Sequence, residues 1–410
     1  MIYTKQNSLK MPAAHQVSNR ILALEESATL VMSQKSRELR DEGYDVINLS
    51  IGEPDFKTPE HICQEAKNAI DAGFHSYTPV PGIPELRKAI ADKFKRDNNI
   101  DWNPANIVVS TGAKHSLANA LQVMVNPGDE VIIFAPYWVS YSEMVKLAEG
   151  TPVILKGSFE NGFKVTPEQL EAAITDKTKV IMYSSPSNPT GAVFSKAELT
   201  AIAKVVEKHE NVFVLADEIY EYINFMDEGH FSIGSISSIK DRVITVNGMA
   251  KGFAMTGWRI GFIGAAEWIV KGITKLQGQV TSGTNHIAQR ASVVAWDDMT
   301  APETMKRAYL VRRKLVVDGL RSIPGFKVNV PDGAFYAFPD VSEYYGKSDG
   351  KITIKDSNDF CLYLLANAHV ATVDGESFGA PDCIRISTAA SEESLNEAIE
   401  RIKKACADLK

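Results

Sequence analysis

Through the middle of the chain, short apolar runs alternate with helical stripes. "NIVVS" (106–110), "EVIIFAP" (130–136), the start of "KVIMYSSPSNPTG" (179–191), "VFVLADE" (212–218) and "RVITVNG" (242–248) each predict a buried strand of a few residues. Between them, Leu117, Leu121 and Val125, and then Leu199, Ile202 and Val206, recur at the three-to-four spacing of a helix with one apolar face. Earlier, "PELRKAIADKFKRDN" opens with Pro84 and places Leu86, Ile90 and Phe94 four apart. "SATLVMSQKSRELRDE" (27–42) predicts a helix with Ser27 at its N-cap. Strands that are apolar throughout and alternate with helices predict an α/β fold, a mainly parallel sheet covered on both faces. Beyond about residue 300 the pattern changes to helices with short strands such as "AFYAF" and "CIRIS", closing in "SLNEAIERIKKACADL". The expected division is an N-terminal arm over 1–20, a smaller α+β domain from 21–55 and 301–410, and a large domain over 56–300.

Length changes this picture little, since 410 residues exceed one simple core and already call for two domains. Charge narrows it. A net charge of -7 argues against nonspecific nucleic-acid binding, which needs a basic surface. Cys63, Cys361, Cys383 and Cys406 stand apart, with no C-x-x-C pair, so neither structural zinc nor a disulfide framework is expected, and no metal is assigned. "MIYTKQNSLKMPAAHQ" lacks a signal-peptide core and no membrane-spanning run follows, so a cytoplasmic protein with reduced thiols and no membrane partner is expected.

The candidate chemistry sits where predicted strands stop, the edge at which such sheets bind ligands. "NGMAKGFAMTGWRIG" (247–261) places Lys251 among small and apolar residues, where an amine loses part of its preference for the charged form and becomes a nucleophile. Asp217 ends a buried strand, with Tyr220 expected one helical turn later; a helix N-cap is the plainer role for that carboxylate. "STGAKHSL" turns through Gly112, Ala113 and Lys114 into a helix, a place that binds phosphate through free backbone N–H groups. Asn188 lies between two prolines and either caps a turn or presents its amide; Arg259 is a phosphate ligand or an ordinary ion-pair member. Taken together, an amine, a phosphate nest with an arginine, a carboxylate and a phenol match the needs of pyridoxal 5'-phosphate.

At these residues the chain resembles the fold-type I aminotransferases of class I/II, and within them the bacterial-type aspartate aminotransferases. The motifs that carry the likeness run nearly end to end: "IGEPDFKTPEHI", "YTPVPGIPELR", "PGDEVIIFAPYWVSY", "SPSNPTGAVF", "ADEIYE", "GMAKGFAMTGWRIG" and "CIRIST". The resemblance implies the fold of the pyridoxal-phosphate-dependent transferases and a homodimer with shared active sites. It implies Lys251 as the Schiff-base lysine and the proton carrier of transamination, Asp217 at the pyridine nitrogen, and Asn188 and Tyr220 at the phenolic oxygen. Gly112, Ala113, Lys114 and Arg259 fall at the phosphate, Trp138 over the ring, and Tyr77 at the phosphate of the neighbouring subunit. For the amino-acid and 2-oxo-acid substrates it implies Arg385 and Gly52 at the α-carboxylate, with Trp138 and Asn188 also against substrate. As a structural residue, Arg385 would need an acid, and the local sequence offers mainly Asp382.

Lys114 matches a lysine associated with the distal carboxylate of acidic substrates, against the plainer reading of a solvated helix-start lysine. The implied activity is therefore amino transfer from L-aspartate to 2-oxoglutarate. Aromatic, alanine-type or other neutral amino acids, or prephenate, are the alternatives on the same fold. Two departures stand out: Glu25 occupies a position where prephenate-active relatives carry lysine, and Gly248 replaces a phosphate-contacting serine of the animal-type enzymes. A noncatalytic regulator half, a β-eliminating lyase and a cyclising synthase share the scaffold; the acidic charge disfavours the first.

Overall fold

The structure, a computed structural model, describes residues 17–410. Residues 1–16 of the expected arm lie outside the described residues. In chain order the strands are β1 (Ile47–Asn48), β2 (Ile107–Thr111), β3 (Glu130–Ala135), β4 (Thr151–Lys156), β5 (Thr178–Ser184), β6 (Phe213–Asp217), β7 (Val243–Gly248), β8 (Ile260–Gly264), β9 (Tyr336–Ala337), β10 (Val370–Ala371), β11 (Val373–Asp374) and β12 (Ile384–Ser387). Seven of them form one sheet in the order β2-β8-β7-β6-β5-β3-β4. All neighbours in it run parallel except β8, which is antiparallel to both β2 and β7.

Consecutive residues of the central strands feed opposite layers, as strand geometry requires. Ile133, Met182, Leu215 and Val246 pack with Leu117, Leu121, Ile269 and Ile273 of the helices Ala113–Met124 and Glu267–Val280. Their neighbours Ile132, Ile181 and Val214 pack with Leu199, Ile202 and Val206 of the helix Lys196–Glu207 on the other face. Pro84–Asn98 is helical as its stripe predicts, and Leu86, Ile90 and Phe94 are fully buried. The helix expected over 27–42 runs Ala28–Asp41; Ser27 is at the N-cap position, but its side chain makes no cap hydrogen bond.

A separate core joins Met32, Val46 and Leu49 to Val316, Leu320, Phe360, Leu364, Ile386 and Ile402. Two small sheets, β1-β10 and β11-β12-β9, belong to this part of the chain. It meets the large sheet through the segment 331–335. Ala334 N–H donates to Ile223 O at 2.7 Å, Phe225 N–H to Asp332 O at 2.8 Å, and Asp332 N–H to Gly191 O at 2.9 Å. A Cβ on Gly333 would stand 2.7 Å from Pro186 Cβ, so only glycine lets the two backbones approach.

Candidate active site

One cavity of about 410 Å³ opens where β5, β6 and β7 end, and ten of the twelve sequence-predicted site residues line it. Gly52, Ala113, Lys114, Trp138, Asn188, Asp217, Tyr220, Lys251, Arg259 and Arg385 reach it from seven segments of the chain. Gly112 sits just behind the wall with φ +85°, and an added Cβ would overlap the Arg259 guanidinium. Tyr77 does not line the cavity; it is 97% exposed.

Asp217 is the last residue of β6 and is buried. Tyr141 O–H donates to its Oδ2 at 2.7 Å and Ile219 N–H to its Oδ1 at 3.2 Å. Burial pushes the carboxyl up to about 6, against the pull of those donors and of Lys251. Tyr220 follows on a tight turn rather than the helical turn expected from sequence: the chain reverses at once to pair Asn224 with Gly333. Tyr220 Oη lies 2.7 Å from Tyr336 Oη.

Lys251 lies just past β7, in a loop whose Gly and Ala neighbours leave its side chain free to enter the cavity. Its Nζ donates to Gly52 O. Burial brings the amine down to about 8; Glu53 opposes the shift, while Arg385 and Arg259 add to it. Both Asp217 and Lys251 are thus moved by desolvation toward a pH at which each changes charge readily.

The helix Ala113–Met124 begins at the cavity, so its first N–H groups face it without intrahelical partners. Arg259, itself at φ +61°, closes the same corner and is fixed by Nη1–H donation to Thr256 O at 2.9 Å. Lys114 Nζ stands 4.7 Å over the Trp138 ring. Burial and then Arg259 hold its ammonium below the usual lysine range.

Arg385, on β12, is 1% exposed. It donates to Asn188 Oδ1 at 2.9 Å and to Ser50 O, and its Nε–H has no partner. Asp382, the acid nearest in sequence, makes no ion pair with it, and among the described residues no carboxylate does. A buried guanidinium that lacks a counter-ion is a site prepared for an anion. Four cations, Lys114, Lys251, Arg259 and Arg385, and two carboxylates, Glu53 and Asp217, line the cavity, so it is locally positive in an acidic chain.

Sequence reasoning missed Tyr141, Tyr336 and Thr256, all in the wall. Tyr141 was within reach, because it ends the quoted "PYWVSY" one helical turn past Trp138. Tyr336 was not: its ring lies 4.7 Å under the Arg385 guanidinium and its hydroxyl fills the space a Cβ on Gly52 would need, contacts between segments far apart in sequence. For the departure at Gly248 there is a steric reason. A Cβ there would stand 2.8 Å from Ile260 O, so the β7–β8 pairing has no room for serine.

Residues 44–402 match the model of the family described as aminotransferase class I and II. The chain is 44% identical over 390 residues to an aspartate aminotransferase of Bacillus subtilis, covering 95% of this chain and 98% of that one. It is 45% identical over 399 residues to an aspartate/prephenate aminotransferase of Cereibacter sphaeroides, covering 96% and 99%. The crystal structure of the Rhizobium meliloti aspartate aminotransferase superposes with a TM-score of 0.93 at 42% identity, over 96% of this chain and 100% of that one. A family match across most of the chain, relatives aligned end to end and a superposable fold agree: the chain belongs to the class I and II aminotransferases.

Proposed function

We propose that the protein transfers the amino group of L-aspartate to 2-oxoglutarate, using pyridoxal 5'-phosphate. The observation that carries the substrate class is Arg385, a buried guanidinium with a free Nε–H and no carboxylate partner, opening on the same cavity as Lys251. An α-carboxylate supplies the missing anion through a two-bond fork. Lys114, a second cation in the wall, supplies the contact for a distal carboxylate.

The residues fit the cofactor. Asp217, buried and already held by Tyr141, would face the ring nitrogen as a carboxylate; Asn188 and Tyr220 would hold the phenolic oxygen. Gly112, Ala113 and Lys114 at the helix start, with Arg259, form a cradle for a phosphate dianion, and the bare Gly112 leaves the space that Arg259 needs. Trp138 would cover the ring. When bound, the cofactor supplies a ring that accepts the electron pair left as the substrate Cα–H bond breaks. Lys251, lowered to about 8, then takes that proton as a free amine and returns it at the other end of the transfer. Arg385 holds the substrate still while this occurs.

We divide the molecule into the units 21–55 with 301–410, and 56–300, and read it as a cytoplasmic homodimer. The separate core of Met32 and Leu49 with the C-terminal helices supports the division. Tyr77, exposed and outside its own cavity, suits a role at a partner's phosphate. Among the described residues no helix is long and apolar enough to cross a membrane. Prephenate is a second reading, favoured by the name of the Cereibacter relative. Glu25, two residues before the wall residue Ser27, opposes it by standing where prephenate-active relatives carry lysine.

The test is the visible absorption of the purified protein before and after L-aspartate, without any 2-oxo acid. Loss of the cofactor's visible band with release of oxaloacetate supports the assignment. A band indifferent to aspartate but discharged by alanine or phenylalanine would move the substrate to neutral amino acids, and ammonia release would indicate a lyase.

A further inference from the structure

Glu218 follows Asp217, yet its carboxylate lies in a second polar cluster, away from the cavity wall. Ser232 O–H donates to Glu218 Oε1 at 2.7 Å, His230 Nε2 stands 3.0 Å from its Oε2, and Asn98 Nδ2 is 3.4 Å from the same oxygen. Glu221, on the same turn, accepts from Asn98 at 2.8 Å and pairs with Lys93, whose Nζ also donates to Asn98 Oδ1 at 2.6 Å. Glu218, Glu221 and Lys93 are 1%, 5% and 0% exposed, and the His230 side chain 8%. Ligand atoms of Glu218, Glu221 and His230 fall within 4.8 Å of one another, but the Lys93 ammonium already fills the Glu221 side, where a metal ion would meet repulsion. Two buried carboxylates against one lysine leave one negative charge over. His230 is the group placed to cancel it.

We propose that His230, as an imidazolium on Glu218, is a positioning residue that keeps the adjacent Asp217 ionised and aimed at the cofactor ring, a role that rests on the cofactor reading above. The charge of Glu218 pushes the Asp217 carboxyl up, so cancelling it favours the ionised form that a ring nitrogen needs. The groups facing His230 and its partner are Glu218 and Glu221 on the turn, Lys93 on the helix Pro84–Asn98 and Tyr183 on β5. Burial and, less strongly, Lys93 pull the imidazole down, but Glu218 and Glu221 outweigh both, and the group ends above the ordinary histidine value. The same contacts tie the turn bearing Asp217 and Tyr220 to the buried face of the helix Pro84–Asn98, which fixes direction as well as charge.

The experiment follows the pH midpoint of the visible band in cofactor-loaded wild type, His230→Gln, Ser232→Ala and the double variant His230→Gln/Glu218→Gln. His230→Gln leaves Glu218 uncompensated and raises the midpoint by about half a pH unit or more. The double variant restores neutrality and returns the midpoint to the wild-type value, and Ser232→Ala, which removes a donor but no charge, leaves it in place. An unmoved midpoint in His230→Gln, or a double variant displaced as far as the single, overturns the role of His230 alone. A wild-type protein with no such band overturns the cofactor reading and this role with it. Should His230→Gln fail to fold, ring-nitrogen NMR of the ¹⁵N-histidine-labelled wild type decides: both His230 nitrogens protonated near neutral pH is expected, and a neutral ring overturns the proposal.

Discussion

Burial acts on Lys251 and Asp217 with the same physics and opposite shifts: it favours the neutral form of each, so the amine moves down and the carboxyl up. For the cofactor-free protein this sets a pH window. The Lys251 amine is depressed, so its neutral, nucleophilic form grows as pH rises through about 8 and is complete above it. Asp217 is raised, so its ionised form is lost as pH falls through about 6. The rate at which the apoprotein captures pyridoxal phosphate, followed by the growth of visible absorbance, is expected to climb with pH to a plateau above about 8 and to collapse below about 6. A rate flat from pH 6 to 9 would contradict the Lys251 assignment. Lys114 makes a second residue-scale prediction. Lys114→Ala removes a charged contact worth about 1.5–3 kcal/mol, so kcat/KM for aspartate should fall by about 10–150-fold while that for alanine changes little. These single positions were legible because each stands at a strand end inside a short motif. Tyr336 was not, because its partners Tyr220 and Arg385 come from segments that only folding brings beside it.

At the scale of elements, most of the central sheet could be read from apolar runs, and its exceptions have physical reasons. β4, "TPVILK", lies at the sheet edge with no fully buried position; its run Val153–Leu155 is apolar, but Pro152 at its start weakens the strand signal. β8, "IGFIG", is broken by glycines that weaken any strand signal, yet one of them, Gly261, is what the site requires. Gly261 pairs with Gly248 across β7–β8, and a Cβ on Gly261 would overlap the backbone of Gly112 and Ala113. The turn at Gly112 and Ala113 can therefore lie directly on β8. Gly261→Ala should displace that turn, weakening cofactor retention on dialysis and lowering stability by about 1–3 kcal/mol in denaturant titration. Alanine tolerated with full cofactor occupancy would show that the turn is not seated there.

At the scale of the molecule, the change of pattern near residue 300 signalled a second core, but nothing in the sequence told how the two parts join. Part of the join is the backbone suture at 331–335, made of main-chain hydrogen bonds that any sequence could supply, beside the packing of Tyr220 and Ile223 on Tyr309 and Phe335. The suture makes two sequence-specific demands: Gly333, wedged against Pro186 and Ile223 O, and Gly191, at φ +69° with Pro331 Cβ and Gly333 O in the space a Cβ would need. Gly333→Val should lower the melting temperature by several degrees, about 1–3 kcal/mol of overpacking, and raise KM for both substrates because Arg385 shifts relative to Lys251. A changed melting temperature with unchanged KM would mean that the suture holds the parts together without setting their distance.

The cavity wall draws on residues from Ser27 to Arg385, and this gives the chain a timetable during synthesis. Every group proposed for the cofactor within one subunit, from Gly112 to Arg259, has been joined to the chain when little more than three-fifths of the 410 residues are made. The guanidinium for the substrate's carboxylate comes about 125 residues later, several seconds at ordinary elongation rates. The groups proposed to hold the cofactor are thus all in the chain well before the one proposed to hold the substrate's carboxylate.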